Sequence, residues 1–273
     1  MTLEEINQAK VLYDTGMSLS EVANRLGYNS LNTIGNAFRK MGISIRSRAG
    51  SRNTVNHNAF DIIDSEAKAY FVGLLLADGC IVERPNSQRQ IALELQQSDI
   101  NIVEQLKTLV GSDNKIGSSR GAVKLGIHSN KIANALAMYG IVPRKTGNKQ
   151  FYIDRLPKQY HRDFIRGFFD GNGWVTYARH GKYSSWNVGF ADGSVLLHGI
   201  SDYLINQGIV RINTKIIEHR GCHMLTYASK QDVNSLLHYM YDGSTVFLGR
   251  KHNKAIECMD NTERGLSKFP CRA

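Results

Sequence analysis

"DFIRGFFDGNGWV" (163–175) repeats, with changes, an earlier stretch of the chain, "AYFVGLLLADGCI" (69–81). Both stretches are mainly apolar, have a glycine in the middle (Gly73 and Gly167) and finish in a turn that contains an acid and a glycine. Glycine is less favourable than alanine inside a helix by about 1 kcal/mol. Its presence at one place in both stretches therefore indicates that a second backbone comes close there. We expect two helices that pack against each other through these glycines.

The two stretches each open a longer unit, and the two units together cover about residues 66–257. In each unit, apolar residues at helical spacing and alternating or β-branched segments predict the order helix, strand, strand, helix, strand, strand, helix. Such a duplication predicts an α+β fold with two pseudo-symmetric αββαββα repeats. We place the first repeat at 64–150, the second at 151–260 and a C-terminal tail at 261–273.

Residues 1–50 have a different, all-helical pattern. Gly16 and Gly27 are expected to end the first two of three short helices. Ser18 and Glu21 form a capping box at the start of the second helix. Helices this short, joined by short turns, predict a helix-turn-helix domain. The polar and basic segment 51–63 then reads as a linker.

The composition favours a polyanionic partner. The 273 residues have a formal net charge of +10, which suits nucleic acid better than a membrane. The longest apolar run is far shorter than the ~20 residues of a membrane-spanning helix, and the N-terminus does not resemble a signal peptide. The four cysteines form no C-x-x-C pair, so neither a zinc site nor a disulfide framework is expected. We expect a reduced, cytoplasmic setting in a bacterium, a phage-infected cell or an organelle.

The N-terminal helices have the charge pattern of a DNA-binding module. No acidic residue lies between Val22 and Phe60, whereas a merely solvated helical face usually mixes both signs. Polar side chains on the third helix can contact base edges, and the basic segment after it can contact phosphates or a minor groove. The candidate contacts are Asn32, Thr33, Asn36, Arg39, Arg46, Arg48 and Arg52. The alternative is a basic helical bundle that binds protein.

The stretches "FVGLLLADG" (71–79) and "IRGFFDGNG" (165–173) resemble the motif of the LAGLIDADG homing endonucleases in their single-chain, two-repeat form. The resemblance covers about residues 64–257. It implies a monomer with an internal pseudo-dyad and a saddle of sheets on double-stranded DNA with a long asymmetric target. It also implies Mg²⁺-dependent phosphodiester hydrolysis, with Mn²⁺ as a substitute or Ca²⁺ as a non-catalytic one. A cleavage-dead DNA-binding regulator and a maturase for intron RNA are the alternatives.

By this resemblance, the essential acidic position falls on Asp78 and on Asn172. A carboxylate in the last turn of a helix is disfavoured by the helix dipole, so we expect a divalent cation to compensate it. The candidate metal ligands are Asp78, Asn172 and the residues before them, Ala77 and Gly171. The alternative is a plain Asp-Gly turn without chemistry. Asp170 is expected to form hydrogen bonds near the helix interface, with a substitute ligand as its alternative.

Asn172 can offer a metal only a neutral oxygen, and three interpretations of it stay open. It is an engineered change that traps an uncleaved DNA complex. It is natural, and the protein nicks one strand or has lost cleavage. Or Asp78 and Asn172 together still cleave slowly.

Further candidates follow from the resemblance. Lys145 in "VPRKT" and Lys251 in "LGRKH" resemble the basic pair near the scissile phosphates. Gln96, or Gln97, resembles the polar residue at a strand end that orients water, with Ala191 at the matching place in the second repeat. The candidate DNA contacts on strands and turns, for each of which a solvated strand face is the alternative, are Arg84, Gln88, Arg89, Lys124, Arg179, Lys182, Arg211, Lys215 and Arg220.

Overall fold

The computed structural model describes residues 1–45, 54–84, 88–145, 149–180, 183–211 and 214–266, without the side chains of Arg84, Arg179, His180, Tyr183 and 262–266. It divides into two compact units, 1–52 and 53–273. No helix among the described residues has the length and apolar character needed to cross a membrane.

Three helices form the first unit, as the sequence predicts: α1 (Leu3–Asp14), α2 (Leu19–Arg25) and α3 (Leu31–Lys40). The capping box at α2 is present, because the Ser18 hydroxyl accepts from the Glu21 amide and the Glu21 carboxylate accepts from the Ser18 amide. The helices share a small core in which Val22, Ile34 and Phe38 are fully buried.

The second unit contains the predicted duplication, and the α+β fold class is confirmed. The first repeat consists of α4 (Glu66–Ala77), β1 (Gly79–Arg84), β2 (Gln88–Gln96), α5 (Ile100–Leu109), β3 (Gly117–Ser119), β4 (Ala122–His128) and α6 (Asn130–Ala137). The second repeat consists of α7 (His161–Asn172), β5 (Gly173–His180), β6 (Tyr183–Asp192), α8 (Ser194–Asn206), β7 (Ile217–His219), β8 (Cys222–Tyr227) and α9 (Lys230–Tyr241), and α10 (Gly249–Leu266) follows.

Each repeat builds one antiparallel sheet of four strands. The strand orders are β1-β2-β4-β3 and β5-β6-β8-β7, so the two sheets have the same topology. Side chains alternate across the strands: in β4, Val123 and Leu125 are buried whereas Lys124 is exposed. One face of the first sheet therefore packs on the core, and the other is open to solvent.

Two predicted boundaries differ from the structure. Residues 54–63, predicted as part of a linker, pack on the first repeat: Phe60 and Ile63 are buried, and the Asn56 amide donates to the Val110 carbonyl at 2.8 Å. Their few apolar residues are enough to anchor a segment that is otherwise polar. At the other end, α10 extends to Leu266, so the predicted tail begins inside a helix whose Cys258 is fully buried.

Candidate active site

Helices α4 and α7 pack backbone against backbone at the centre of the second unit. A Cβ placed on Gly73 would lie 2.1 Å from the carbonyl oxygen of Phe164, and one placed on Gly167 would lie 2.0 Å from that of Tyr70. Real Cβ atoms do not come so close to a carbonyl oxygen, so both positions require glycine. The expected packing of the two helices through these glycines is confirmed.

The close packing brings the C-terminal ends of the two helices together. A Cβ on Gly171 would lie 2.3 Å from the Cβ of Ala77 and 3.0 Å from Oδ2 of Asp78. The Asp78 carboxylate, at the C-cap of α4, therefore reaches across to the last turn of α7. Glycine at position 171, which has no side chain, leaves room for the Asp78 carboxylate.

The Asp78 carboxylate faces solvent and accepts no hydrogen bond from any residue whose placement is described. Desolvation by the surrounding protein atoms raises the pKa of Asp78, and the positive charges of Lys149, Lys145, Lys251 and Arg250 act in the opposite direction, in that order. A carboxylate with free oxygen lone pairs can bind a divalent cation. The neighbouring positive charges repel such a cation until an anion, such as a phosphate group, balances them.

Two lysines bind carbonyl groups at the ends of these helices. Lys145 Nζ donates to the carbonyls of Leu76 (2.7 Å) and Ala77 (3.2 Å) at the end of α4. Lys251 Nζ donates to the carbonyls of Phe169 (3.4 Å) and Gly173 at the end of α7. The two contacts match each other in the two repeats. Each ammonium group thus places positive charge at a helix C-terminus, where the helix dipole favours it.

Burial of these amines makes them sensitive to pH. Desolvation, with repulsion from Lys149 for Lys145 and from Arg250 for Lys251, lowers the pKa of each lysine from 10.5 to about 8. Between pH 8 and pH 10 these two lysines therefore hold more protons in the unfolded chain than in the folded chain, so their contribution to the free energy of unfolding should rise with pH. We expect this rise to be smaller in Lys145→Met and in Lys251→Met, and smallest in the double variant. Urea unfolding at pH 7.5, 8.5 and 9.5 measures it; equal slopes in all four proteins would contradict the assignment.

The end of α7 is organised by residues that the sequence did not single out, Lys149 and Asp192. Asn172 Nδ2 donates to Asp192 Oδ2 at 2.7 Å, and Lys149 Nζ lies 2.5 Å from the same oxygen. Both charged side chains are nearly buried, at 7% and 6% exposure. They line a cleft of about 530 Å³ that opens beside Asn172. A carboxylate is therefore present at this helix end, on strand β6 instead of helix α7.

Strand register explains why Asp192 escaped sequence comparison. Gly79 pairs with Leu93, and Gly173, its counterpart, pairs with Phe190. By this register Asp192 corresponds to Leu95, a core residue, and Ala191 corresponds to Glu94 instead of Gln96. The predicted match of Gln96 with Ala191 is therefore wrong.

Gln96 is the last residue of β2, and Gln97 begins the short 3-10 turn that follows it. Gln96 is exposed at the end of β2, where it pairs with Ala122. The side chain of Gln97 accepts a hydrogen bond from Ser118 at 2.9 Å. The structure does not join either glutamine to Asp78 by a described contact, so a water-orienting role for Gln96 stays a prediction.

Asp170 is a structural residue of the helix interface. It is fully buried and accepts hydrogen bonds from the hydroxyls of Tyr70 (2.8 Å) and Tyr241 (2.5 Å) and from the Leu248 amide (2.7 Å). Burial raises the pKa of Asp170, and these hydrogen bonds oppose the rise. With three donors on its two oxygens and no path to solvent, it is not placed to bind a metal, and the predicted structural role is the one observed.

Three solved structures that share this architecture are LAGLIDADG meganucleases or homing endonucleases. The structure of I-AabMI bound to uncleaved DNA superposes with a TM-score of 0.53 and 14% sequence identity, covering 73% of this chain and 91% of that protein. I-SmaMI bound to cleaved DNA gives a TM-score of 0.54 at 12% identity, covering 76% and 91%. I-GzeII in complex with its DNA target gives 0.54 at 13% identity, covering 73% and 91%.

The chain has the LAGLIDADG meganuclease fold. No protein-family model and no curated protein sequence matches it. The likeness is thus one of three-dimensional structure, and the duplicated motif in the sequence agrees with it.

Within this LAGLIDADG fold, the predicted DNA contacts of the first sheet fall on both faces. Gln88 and Lys124 are exposed on the face away from the helices, and Lys124 is paired there with Glu94 at 3.1 Å. Arg89 lies on the same strand face as the buried Ile91, and its guanidinium donates to Asn134 of α6 at 2.6 Å. Arg89 therefore does not share the open face with Gln88 and Lys124, because a one-residue step along a strand reverses the face, and its contact with DNA stays a prediction.

In the second repeat, Arg211, Lys215 and Arg220 are exposed. Arg211 is held by Asp232, with 3.1 Å between Nε and Oδ1, and Arg220 lies in the turn between β7 and β8 with a φ of +50°. Arg84 lies in β1 and Arg179 in β5, and only the backbone of these two residues is described. Lys182 lies outside the described residues.

On helix α3, Asn32, Asn36 and Arg39 are exposed one and two turns apart and so share one face, and Thr33 is half-buried beside them. Arg39 donates to the Asn36 side chain at 2.5 Å. Arg46, Arg48 and Arg52 lie outside the described residues.

The two helix ends differ in how well they suit a metal ion. The free Asp78 carboxylate beside Gly171 offers hard oxygen ligands of the kind that Mg²⁺ prefers. At the end of α4 the Ala77 carbonyl already accepts from Lys145 and Lys149, and at the end of α7 the Asn172 amide is bound to Asp192. No group of three or more His, Cys, Asp or Glu side chains able to hold a metal occurs in the part of the chain that is described. The ligands fit a divalent cation at Asp78 and not at Asn172.

Proposed function

We propose that the chain is a DNA endonuclease that binds duplex DNA at a long asymmetric site and hydrolyses phosphodiester bonds with Mg²⁺. The observation that supports this most directly is the free Asp78 carboxylate at the junction of two tightly packed helices, surrounded by cationic side chains. Three solved meganucleases that share the fold are bound to DNA. The formal net charge of +10 suits the same partner.

In this proposal the residues have separate tasks. Asp78, with the backbone of Gly171, holds Mg²⁺, which when bound supplies Lewis acidity and charge neutralisation at a phosphate. I-SmaMI with uncleaved DNA has been solved in the presence of calcium ions, which agrees with an oxygen-ligand site in a protein of this fold. Lys145 and Lys251 keep fixed positive charge beside the place where negative charge develops on the phosphate. The open faces of the two sheets contact the DNA backbone and base edges.

We further propose that the N-terminal helices extend the target site, with Asn32, Asn36 and Arg39 on one face of α3 toward DNA. The basic residues Arg46, Arg48 and Arg52 follow that helix in the sequence. A chain with this task acts wherever its DNA is, in the interior of a cell or organelle.

Asn172 makes the two halves unequal, so we propose that the chain cuts one strand faster than the other. A DNA-binding protein without cleavage is the second candidate, and the same residue favours it, because the metal ligands fit at one helix end only.

The test begins with the target, which can be selected from a random duplex library bound in Ca²⁺. Supercoiled plasmid carrying the selected sequence is then incubated with the protein and Mg²⁺. We expect nicked circles before linear DNA in the unmodified chain, and no cleaved product from Asp78→Asn. Because Asp78 has no described partner, Asp78→Asn should bind the duplex and melt as the unmodified protein does. Tight, selective binding without any cleavage by the unmodified chain or by Asn172→Asp would establish the second candidate instead.

A further inference from the structure

The ammonium group of Lys149 lies between the ends of α4 and β6, which belong to different repeats. It is 2.5 Å from Asp192 Oδ2 and 3.4 Å from the carbonyl oxygen of Ala77. Asp192 is itself fixed, since Oδ2 accepts from Asn172 and Oδ1 accepts from the Gly193 amide at 2.7 Å. The buried amine therefore contacts one oxygen atom from each half of the site.

The other half of the site has a different ion pair, in which Arg250 Nε lies 2.9 Å from Oδ2 of the buried Asp99, and no described contact there joins a lysine to a carboxylate in the way that Lys149 is joined to Asp192. Lys149 lies four residues after Lys145, and the residue four after Lys251 is Ala255, which is fully buried. By strand register, the residue of the first repeat that corresponds to Asp192 is Leu95. The lysine at 149 and the aspartate at 192 are thus not repeated at the corresponding positions 255 and 95, and the pair they form belongs to the half that has Asn172 in place of an acid.

We propose that the Lys149 ammonium, held by Asp192, takes the place of a divalent ion in the half of the site that contains Asn172. The chain then binds a single divalent ion, through Asp78. This inference rests on the proposed function. A fixed ammonium supplies positive charge between the helix ends, but it cannot provide the Lewis acidity of a metal, and this accounts for unequal cleavage of the two strands.

Isothermal titration with Ca²⁺ counts the ions directly, on the full chain both free and bound to the selected duplex. We expect one ion for the unmodified protein and none for Asp78→Asn. Asn172→Asp alone should still bind one ion, because Lys149 remains in place. The triple variant Lys149→Met/Asn172→Asp/Asp192→Leu copies the other half of the site and should bind two.

The control removes an ion pair elsewhere. Lys131 and Asp61 are 2.6 Å apart on the surface, and Lys131→Met/Asp61→Leu should leave the count at one. Lys149→Arg keeps the charge and should also leave it at one. If circular dichroism shows that the triple variant does not fold, Asn172→Asp/Lys149→Gln makes the same comparison with a smaller change.

Two ions on the unmodified chain, or a single ion on a folded variant that has Asp at 172 and no positive charge at 149, would overturn the inference. These outcomes are independent of cleavage. A chain that binds one Ca²⁺ and cuts no duplex would refute the proposed nuclease and leave the role of Lys149 standing. A chain that cuts DNA but binds two ions would do the reverse.

Discussion

Alanine in place of Gly73 or Gly167 should destabilise the second unit by about 4 kcal/mol or more, and both changes together should prevent it from folding. Inside an ordinary helix the same substitution is favourable by about 1 kcal/mol. Here the added methyl group would lie 2.1 Å from the Phe164 carbonyl oxygen, or 2.0 Å from that of Tyr70. Neither neighbour is a side chain that can rotate away. The whole helix pair would have to separate, and its apolar contacts would be lost along its length.

Tryptophan fluorescence during urea unfolding measures this effect on the second unit alone, because the only two tryptophans, Trp174 and Trp186, lie in β5 and β6. Gly249→Ala is the matched control, since a Cβ at Gly249, the first residue of α10, meets no atom within 4 Å. We expect the control to change stability by less than about 1 kcal/mol. A fully folded Gly73→Ala with the midpoint of the control would show that the helices are not packed through backbone contacts.

The sequence was sufficient for the fold because the features that determine it are local and occur twice. Gly73 and Gly167 stand out as glycines inside strongly apolar helices, and their duplication at equal distances from the same turn identifies a pair. Lys145 and Lys251 could be found for a similar reason, since each follows an arginine at the end of its repeat. The sequence did not indicate that these amines bind the carbonyls of the helix ends, because that depends on how the chain returns to the core.

The second half of the site could not be predicted from the motif. Asp192 corresponds to a core leucine, Leu95, so comparison of the repeats assigns it no polar role. Its partner Lys149 lies in the connection between α6 and α7, outside both motifs. Only the folded chain brings these two side chains to Asn172. Comparison of the motifs alone shows that a carboxylate is missing at position 172. The structure shows in addition that the charged side chains of Asp192 and Lys149 lie beside Asn172.

Asp170→Ala should destabilise the second unit by about 4 kcal/mol, because it leaves three buried donors without an acceptor. The hydroxyls of Tyr70 and Tyr241 and the Leu248 amide all donate to this carboxylate at 2.5–2.8 Å. Hydrogen bonds to a charged group contribute about 1.5–3 kcal/mol each, and the cost of burying the carboxylate offsets part of their sum. Asp170→Asn keeps one acceptor oxygen and should lose less. Urea unfolding followed by tryptophan fluorescence gives the values.

Asp242→Ala serves as the control, because Asp242 is an exposed partner of His238 at 3.0 Å and its loss should change stability by less than about 1 kcal/mol. Comparison of the Asp170 variants with Asp78→Asn distinguishes the roles of the aspartates in the two motifs. Asp78 has no described partner, so its substitution should remove cleavage at unchanged stability, whereas substitution of Asp170 should remove stability first. An Asp170→Ala protein as stable as the control but unable to bind Ca²⁺ would instead make Asp170 a ligand. Tyr70 reaches Asp170 from the other repeat, so this carboxylate holds together the helix pair whose ends position Asp78, and its contribution to the chemistry is through that geometry.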